Sequence, residues 1–264
     1  MKSTFLTSTF VAIFLILGFF FVMQERFIFF PEQLPQDYDL QLSDGAEEVF
    51  FSTDDGARIN AIWYRQDDAP GVILYLHGNA GSLRTWQLLA PTILSTGYDL
   101  FMIDYRTFGK SRGKLSEDGL YADGLGAYQA LLDRGYSPDQ IVVLGRSIGT
   151  GIATKLAATQ PTAALILETP FTNLMDLALQ HMPILPRLLL TYRFENDARA
   201  ASIDVPTLIL HGDRDEIIPL AMGQSLYEEF SPPRHFLLLP GASHNNIDSH
   251  PDYLPGLIEF LSEL

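Results

Sequence analysis

The hydrophobic pattern of the chain alternates between short apolar runs and longer segments with helical spacing. The apolar runs predicted as buried strands cover residues 72–76, 100–104, 141–144, 163–167, 207–210 and 235–239. The segments predicted as helices cover residues 83–95, 117–134, 151–159, 220–230 and 251–264. Because strands that are apolar throughout alternate with helices, the pattern predicts a mostly parallel sheet with helices on both faces.

Two further strands precede this alternating region. Residues 47–52 and 58–65 are joined by a turn at 53–56, and they predict an antiparallel hairpin at one side of the sheet. The sheet therefore has about eight strands by this count. Residues 31–45 are polar and interrupted by prolines, which is typical of a linker. The aromatic segment 27–31 fits either a membrane interface or a lid over the first sheet edge.

The amino-terminal stretch, residues 4–23, is almost wholly apolar. About twenty helical residues cross the hydrocarbon core of a bilayer, so the sequence predicts a transmembrane signal-anchor within residues 1–26 and a globular domain at 27–264. A cleaved signal peptide is the alternative, but no small-x-small cleavage site follows the apolar run. Lys2 and the terminal amine, against Arg26 after the stretch, place the globular domain on the non-cytoplasmic side of the membrane.

The composition narrows the classes of partner. The chain has 264 residues, enough for one large α/β domain, and a formal net charge of -15. An acidic surface argues against a nucleic-acid partner and against attraction to anionic headgroups. The absence of cysteine excludes disulfides, thiolate catalysis and cysteine metal sites.

A candidate nucleophile lies where the 141–144 strand meets the helix that follows it. Residues 145–149 read G-x-S-x-G, which in a strand-to-helix turn is the nucleophile elbow that exposes a serine at the carboxyl end of a strand. Ser147 is therefore the predicted nucleophile. The backbone N–H of Ile148, at the start of the helix, is a predicted donor to the oxyanion that forms during acyl transfer.

The base that this serine needs is predicted among six histidines. His244 follows the last strand in a loop that emerges at the same sheet end as the elbow, which favours it over the other five. The loop after the 207–210 strand offers three candidate acids, Asp213, Asp215 and Glu216, and spacing favours Asp215. The chain order serine, acid, histidine is that of an α/β-hydrolase triad.

A glycine-containing loop follows the first parallel strand, at residues 77–81. A loop at this position is either a tight strand-to-helix turn or an oxyanion loop, and the two roles are compatible. The backbone N–H of Asn79 is therefore the second predicted oxyanion donor.

These motifs together resemble the serine α/β-hydrolases, most closely a membrane-associated, depalmitoylase-like branch. The matching segments are 74–81, 104–111, 145–149, 211–215 and 241–244, in the order that the family has them. The resemblance implies that Asp215 is the acid and His244 the base, and it implies a hydrophobic amino-terminal anchor. One departure is Thr107, where the family's D-Y-R-G-F-G-x-S motif has glycine, so the geometry of that loop is in question.

The segment 170–203, between the strand after the elbow and the strand before Asp215, is rich in leucine and methionine. It is predicted either as a short apolar cap over the site, which would favour an acyl chain, or as ordinary core. The sequence as a whole predicts a membrane-anchored serine hydrolase that cleaves an ester, thioester or similar acyl bond of a small or lipid-like substrate without metal or organic cofactor. A serine peptidase or acyltransferase on the same triad and, third, a non-catalytic binding protein are the alternatives.

Overall fold

The structure, a computed structural model, describes residues 17–184 and 186–264. Residues 17–28 form helix α1, which leads into the globular body. Most of the predicted membrane anchor, residues 4–23, lies outside the described residues. Within 17–184 and 186–264, no helix combines the length and the apolar character needed to cross a bilayer.

The strands of the described residues follow one another in a single eight-stranded sheet and one short two-stranded pair. Their bounds are β1 (Phe30–Pro31), β2 (Ala46–Ser52), β3 (Arg58–Tyr64), β4 (Val72–Leu76), β5 (Ala80–Gly81), β6 (Asp99–Asp104), β7 (Ile141–Arg146), β8 (Ala164–Glu168), β9 (Thr207–Gly212) and β10 (Arg234–Leu239). The large sheet has the order β10-β9-β8-β7-β4-β6-β3-β2. Strand β3 pairs antiparallel with β2 and β6, and the other pairs are parallel. The predicted hairpin and mostly parallel sheet are confirmed.

Helices cover the sheet at nearly all the predicted places. After α1 they are α2 (Leu83–Trp86), α3 (Ala90–Leu94), α4 (Glu117–Leu132), α5 (Gly149–Ala157), α6 (Leu174–His181), α7 (Asp197–Ala200), α8 (Leu220–Glu229) and α9 (Tyr253–Leu261). The predicted single helix 83–95 is instead α2 and α3 with a 3₁₀ turn between them. Pro91 lies in the first turn of α3. Proline lacks a backbone N–H, which is tolerated at the start of a helix but would interrupt the hydrogen bonds of one continuous helix.

The core consists of two apolar layers, one on each face of the sheet. Along the fully buried strand β4, Leu74 and its neighbours two residues away belong to one layer, while Ile73 and Tyr75 belong to the other. This division follows from the two-residue period of a strand. Both faces of β4 are covered, which explains why it is apolar at every position.

The prediction that residues 31–45 form a linker was wrong. Strand β1 pairs in parallel with β5, and the backbone N–H of Leu34 donates to Gly109 O at 2.9 Å. Leu34 and Leu40 are buried against the body. Two leucines six residues apart among mostly polar residues give no periodic signal, so the packing was not visible in the pattern.

Parallel strands bring the loops at their carboxyl ends to one edge of the sheet. The loops after β4, β7, β9 and β10 therefore meet above the centre of the sheet, next to the segment 170–203 that contains α6 and α7. Ligands of open α/β sheets bind at this edge, and all the predicted site residues lie there.

Candidate active site

The serine lies on a strained turn. Ser147 follows β7 directly and has φ +52°, in the left-handed region that side-chain-bearing residues rarely adopt. The flanking glycines are required because backbone oxygens lie too close for a side chain. A Cβ at Gly149 would lie 2.1 Å from Leu76 O, and a Cβ at Gly145 would lie 2.5 Å from Gly149 O. The structure thus gives residues 145–149 the sharp strand-to-helix turn that the motif predicts, with Ser147 half-buried at its tip.

Three of the predicted residues form one hydrogen-bonded chain. His244 Nε2 lies 3.1 Å from Ser147 Oγ, and His244 Nδ1 lies 2.8 Å from Asp215 Oδ2. The imidazole is buried, with 6% of its residue surface exposed. An ionised Asp215 accepts a hydrogen bond from Nδ1–H of the neutral imidazole, and in that tautomer Nε2 has a lone pair that can accept the hydroxyl proton of Ser147.

Asp215 is held in its ionised form by its surroundings. Burial by itself raises its pKa, but hydrogen bonds from His211, His244 and the Ile218 N–H outweigh burial, and the pKa lies well below its ordinary value. The Ile217 and Ile218 N–H groups donate to Asp215 Oδ1 at 2.9 and 2.7 Å. The other oxygen, Oδ2, is thereby left facing the two imidazoles, at 3.4 Å from His211 Nε2 and 2.8 Å from His244 Nδ1.

The two other candidate acids bond to the backbone of the histidine loop. Asp213 Oδ1 accepts from the Gly241 N–H at 2.6 Å, and Glu216 Oε2 accepts from the His244 N–H at 3.4 Å. Only Asp215, of these three acids, contacts the imidazole ring of His244. The geometry, like the spacing, therefore favours Asp215 as the partner of His244.

The predicted oxyanion donors lie beside the serine. Asn79, Ser147 and Ile148 all line one cavity, which is described below. The Asn79 O and Nδ2 atoms are engaged by the chain that precedes β2: the Phe30 N–H donates to Asn79 O at 2.8 Å, and Asn79 Nδ2 donates to Ile28 O at 2.8 Å. Within the described part of the chain neither the Asn79 N–H nor the Ile148 N–H donates a hydrogen bond, so both remain available to a substrate oxygen.

A second buried pair, His77 and Asp104, supports the predicted oxyanion loop at residues 77–81. His77 Nε2 lies 3.4 Å from Asp104 Oδ1, and that oxygen also accepts the Leu83 N–H at 2.9 Å. Tyr105 donates its hydroxyl to His77 O at 2.8 Å, and burial raises the pKa of the Asp104 carboxyl. The sequence marked His77 as unsuited to be the base, but its partner Asp104 was not found, because no spacing rule connects two separate loops.

Arg146 was also missed, although it lies inside the motif. Its Nη1 donates to Asp248 Oδ1 at 2.9 Å and its Nη2 to His244 O at 3.3 Å. The guanidinium is buried next to Glu168, whose carboxylate accepts the Tyr253 hydroxyl. This arginine therefore connects the turn at residues 145–149 to the loop that carries His244.

A cavity of about 360 Å³ opens in front of Ser147. Apart from Ser147 and the oxyanion loop, its walls are mostly hydrophobic side chains from α1, from the 170–203 segment and from residues 217–218. These are Phe20, Phe27, Ile28, Phe171, Leu174, Leu177, Ala178, Met182, Leu189, Leu190, Ile217 and Ile218. Residues 17–184 and 186–264 contain no group of three or more histidine, aspartate or glutamate side chains arranged to hold a metal ion.

The fold and this site define a class of protein. The family model described as the alpha/beta hydrolase fold matches residues 71–202. The chain belongs to the α/β-hydrolase family. It is 32% identical over 240 residues to alpha/beta hydrolase domain-containing protein 17B of Homo sapiens, with 88% of this chain and 81% of that protein covered.

Other relatives agree with this assignment. The chain is 32% identical over 248 residues to an uncharacterized protein of Mycobacterium tuberculosis (92% and 86% covered), and 36% identical over 196 residues to the lysophosphatidylserine lipase ABHD12 of Danio rerio (64% and 50% covered). A solved structure, the Pyrococcus furiosus esterase Pf2001, superposes with a TM-score of 0.72 over 89% of this chain and 98% of that one, at 19% identity. At that identity the superposition shows the shared fold.

Proposed function

We propose that the protein is a serine hydrolase that cleaves an ester, thioester or related acyl bond of a lipid-like substrate through an acyl-enzyme. The observation that carries the proposal is the unbroken chain from Asp215 through His244 to Ser147, which ends in an apolar cavity. The similarity to the lysophosphatidylserine lipase ABHD12 of Danio rerio supports the same reaction class.

The reaction would proceed in two halves. Ser147 Oγ forms a bond to the acyl carbon while its proton moves to His244 Nε2, and the oxyanion accepts hydrogen bonds from the Asn79 and Ile148 N–H groups. The carbon–leaving-group bond then breaks as the imidazolium gives its proton to the departing oxygen or sulfur. Water next loses a proton to His244 and attacks the acyl carbon, and Ser147 leaves with that proton. Asp215 keeps the Nδ1 proton in place and stabilises the imidazolium throughout.

Labelling with a fluorophosphonate probe tests the nucleophile. The wild type is expected to label, whereas Ser147→Ala and His244→Ala are not, and Ser147→Ala should lower kcat/KM for an acyl ester by about 10⁴-fold or more. Ser225→Ala, on the exposed side of α8, is the matched serine control and should label normally. Labelling that survives in Ser147→Ala, or no labelling of folded wild type, would reject the proposal.

Substrate comparison separates this reaction from the alternatives on the same triad. The wild type is given matched oxygen ester, thioester and anilide substrates, with and without an added alcohol as acyl acceptor. Faster hydrolysis of the two esters supports an esterase or thioesterase. Preference for the anilide would indicate a peptidase, and transfer to the alcohol in excess of hydrolysis would indicate an acyltransferase.

Membrane association is part of the proposal and is supported by the apolar stretch at residues 4–23. The full chain is expected in the membrane fraction, released by detergent but not by carbonate, and digested by protease from the non-cytoplasmic side only. Release by carbonate, or a mature chain that has lost its first residues, would contradict the uncleaved anchor.

A further inference from the structure

Helix α1 contributes a wall to the cavity in front of Ser147. Phe20, Gln24 and Phe27 lie at intervals of three to four residues, which places them on one face of the helix, and all three line the cavity. Ile28 continues this face at the end of the helix. The rings of Phe20 and Phe27 lie 5.7 Å apart, centroid to centroid. The helix that begins in the predicted anchor region therefore ends at the catalytic serine.

The position of this wall is fixed by polar contacts on both sides. Gln24 Oε1 accepts from the Thr191 N–H at 2.8 Å and from Thr191 Oγ1 at 2.9 Å. Tyr192 donates its hydroxyl to Glu25 Oε1 at 2.8 Å. On the other side, Asn79 Nδ2 donates to Ile28 O at 2.8 Å. Helix α1 is thus bound to the 170–203 segment and to the oxyanion loop at the same time.

The opposite wall is apolar as well. It is formed by α6, with Leu174, Leu177 and Ala178, and by Met182 just beyond it. Two polar atoms among the lining side chains have partners: Gln24 Oε1 accepts from the Thr191 N–H, and His181 Nε2 lies 2.9 Å from Ile217 O. Hydrogen-bonding capacity is concentrated at the Ser147 end, which is the arrangement that an ester with a long hydrocarbon tail requires.

Exposed apolar side chains lie on the two segments that form walls of this cavity, α1 and residues 170–203. Phe19 and Val22, on the outer side of α1, are 57% and 68% exposed, and Ile184 and Leu188 in the 170–203 segment are 93% and 90% exposed. Large apolar residues exposed together beside a cavity are characteristic of contact with lipid or another hydrophobic partner.

From these contacts we infer that the face of α1 formed by Phe20, Phe27 and Ile28 is the outer wall of an acyl-chain subsite and sets a preference for long, lipid-derived acyl groups. The occupant is the hydrocarbon chain of the substrate, with its carbonyl at Ser147. This inference rests on the proposed hydrolase function and adds a second role to the amino-terminal helix, which selects the substrate as well as leading towards the membrane.

A chain-length series on α1 variants tests the inference. The ratio of kcat/KM for a dodecanoyl to that for an acetyl p-nitrophenyl ester is measured for wild type, for the double variant Phe20→Ala/Phe27→Ala, and for the control Phe21→Ala. Phe21 lies on the same helix and is 47% exposed, outside the cavity lining. Because the lost contacts involve several buried methylene groups, the ratio should fall about tenfold or more in the double variant and stay at the wild-type value in the control.

Two outcomes would overturn the inference: an unchanged ratio in the double variant, or the same fall in the Phe21→Ala control. A binding measurement keeps this test separate from the proposed reaction. The full-length Ser147→Ala protein is titrated with a fluorescent fatty acid, and adding Phe20→Ala/Phe27→Ala should weaken binding about tenfold. Fatty-acid binding that depends on these rings without any probe labelling of the wild type would retain the subsite and reject the hydrolase. Probe labelling of the wild type, together with fatty-acid binding that does not depend on Phe20 and Phe27, would retain the hydrolase and reject the subsite.

Discussion

Arg146 and Asp248 form an ion pair, 2.9 Å between Nη1 and Oδ1, that connects the residue before Ser147 to the segment after His244. The same guanidinium donates to His244 O at 3.3 Å. These bonds are formed by a side chain that is 5% exposed, where hydrogen bonds to a charged group are strong. The relative position of Ser147 and His244 therefore depends on a residue that touches neither the substrate nor the reacting atoms.

Removing this connection should slow the reaction without unfolding the protein. Asp248→Asn is expected to lower kcat by about tenfold to a hundredfold with little change in KM, because effects of supporting residues on a catalytic base are of this size. The rate of fluorophosphonate labelling should fall in parallel. Asp252→Asn, an exposed acid four residues further on, is the control. A higher KM at unchanged kcat would show that Asp248 acts on substrate binding instead.

Asp215→Asn should lower kcat much more than the same substitution at the nearby Asp213. The amide presents an N–H as well as an oxygen to two imidazoles, so it no longer fixes the Nδ1 proton of His244, and kcat should fall by about 10³- to 10⁴-fold. Asp213→Asn is the matched comparison, since Asp213 supports the same loop through the Gly241 N–H. Equal losses in the two variants, measured by steady-state kinetics, would contradict the special role of Asp215.

The sequence predicted those parts of the molecule that depend on local patterns. Strands of four to eight apolar residues, the glycines around Ser147 and the loop of His244 all carry such patterns, and each lies where the pattern placed it. The packing of residues 31–45 and the role of Arg146 depend on contacts between segments far apart in the chain. Arg146 and Asp248 are 102 residues apart, and a single sequence holds no signal that relates them.

The cavity walls likewise combine a segment whose apolar character the sequence shows with a helix whose position depends on long-range contacts. The apolar character of residues 170–203 was visible in the sequence, but it does not distinguish Leu177, which is buried and lines the cavity, from Ile184, which is exposed. The participation of α1 was not predicted, because its residues were interpreted as membrane-spanning. A phenylalanine that faces lipid and one that faces a cavity have the same hydropathy.

In the loop that departs from the family pattern, glycine should fit position 107 better than alanine does. Thr107 has φ +74°, and its Oγ1 is buried without a hydrogen-bond partner among the described residues. A β-branched residue is strained in this region, whereas glycine is not. Thr107→Gly should therefore be more stable than Thr107→Ala by about 1 kcal/mol, since both remove the hydroxyl and only glycine relieves the backbone. Urea unfolding of the two variants checks this, and a less stable glycine variant would contradict it.

The buried carboxyl of Glu168 makes the stability of the protein depend on pH. Burial raises its pKa from 4.5 to about 7, in spite of the opposing effects of Arg146 and the Tyr253 hydroxyl. Between these two values the folded state binds the proton more tightly than the unfolded state does. The resulting contribution to the free energy of unfolding is fully present below pH 4.5 and is lost as the pH rises through 7.

Glu168→Gln removes this titration while keeping an acceptor for Tyr253. The free energy of unfolding of the variant, relative to wild type, should therefore increase as the pH is raised from 5 to 8. Over this range the folded wild type must either bury a charged carboxylate or hold a proton that the unfolded chain releases, and the variant does neither. Urea unfolding at several pH values measures the difference. Glu229→Gln, exposed on α8, is the control for a change of net charge. Parallel stability profiles of Glu168→Gln and wild type would show that Glu168 titrates alike in the folded and unfolded chains.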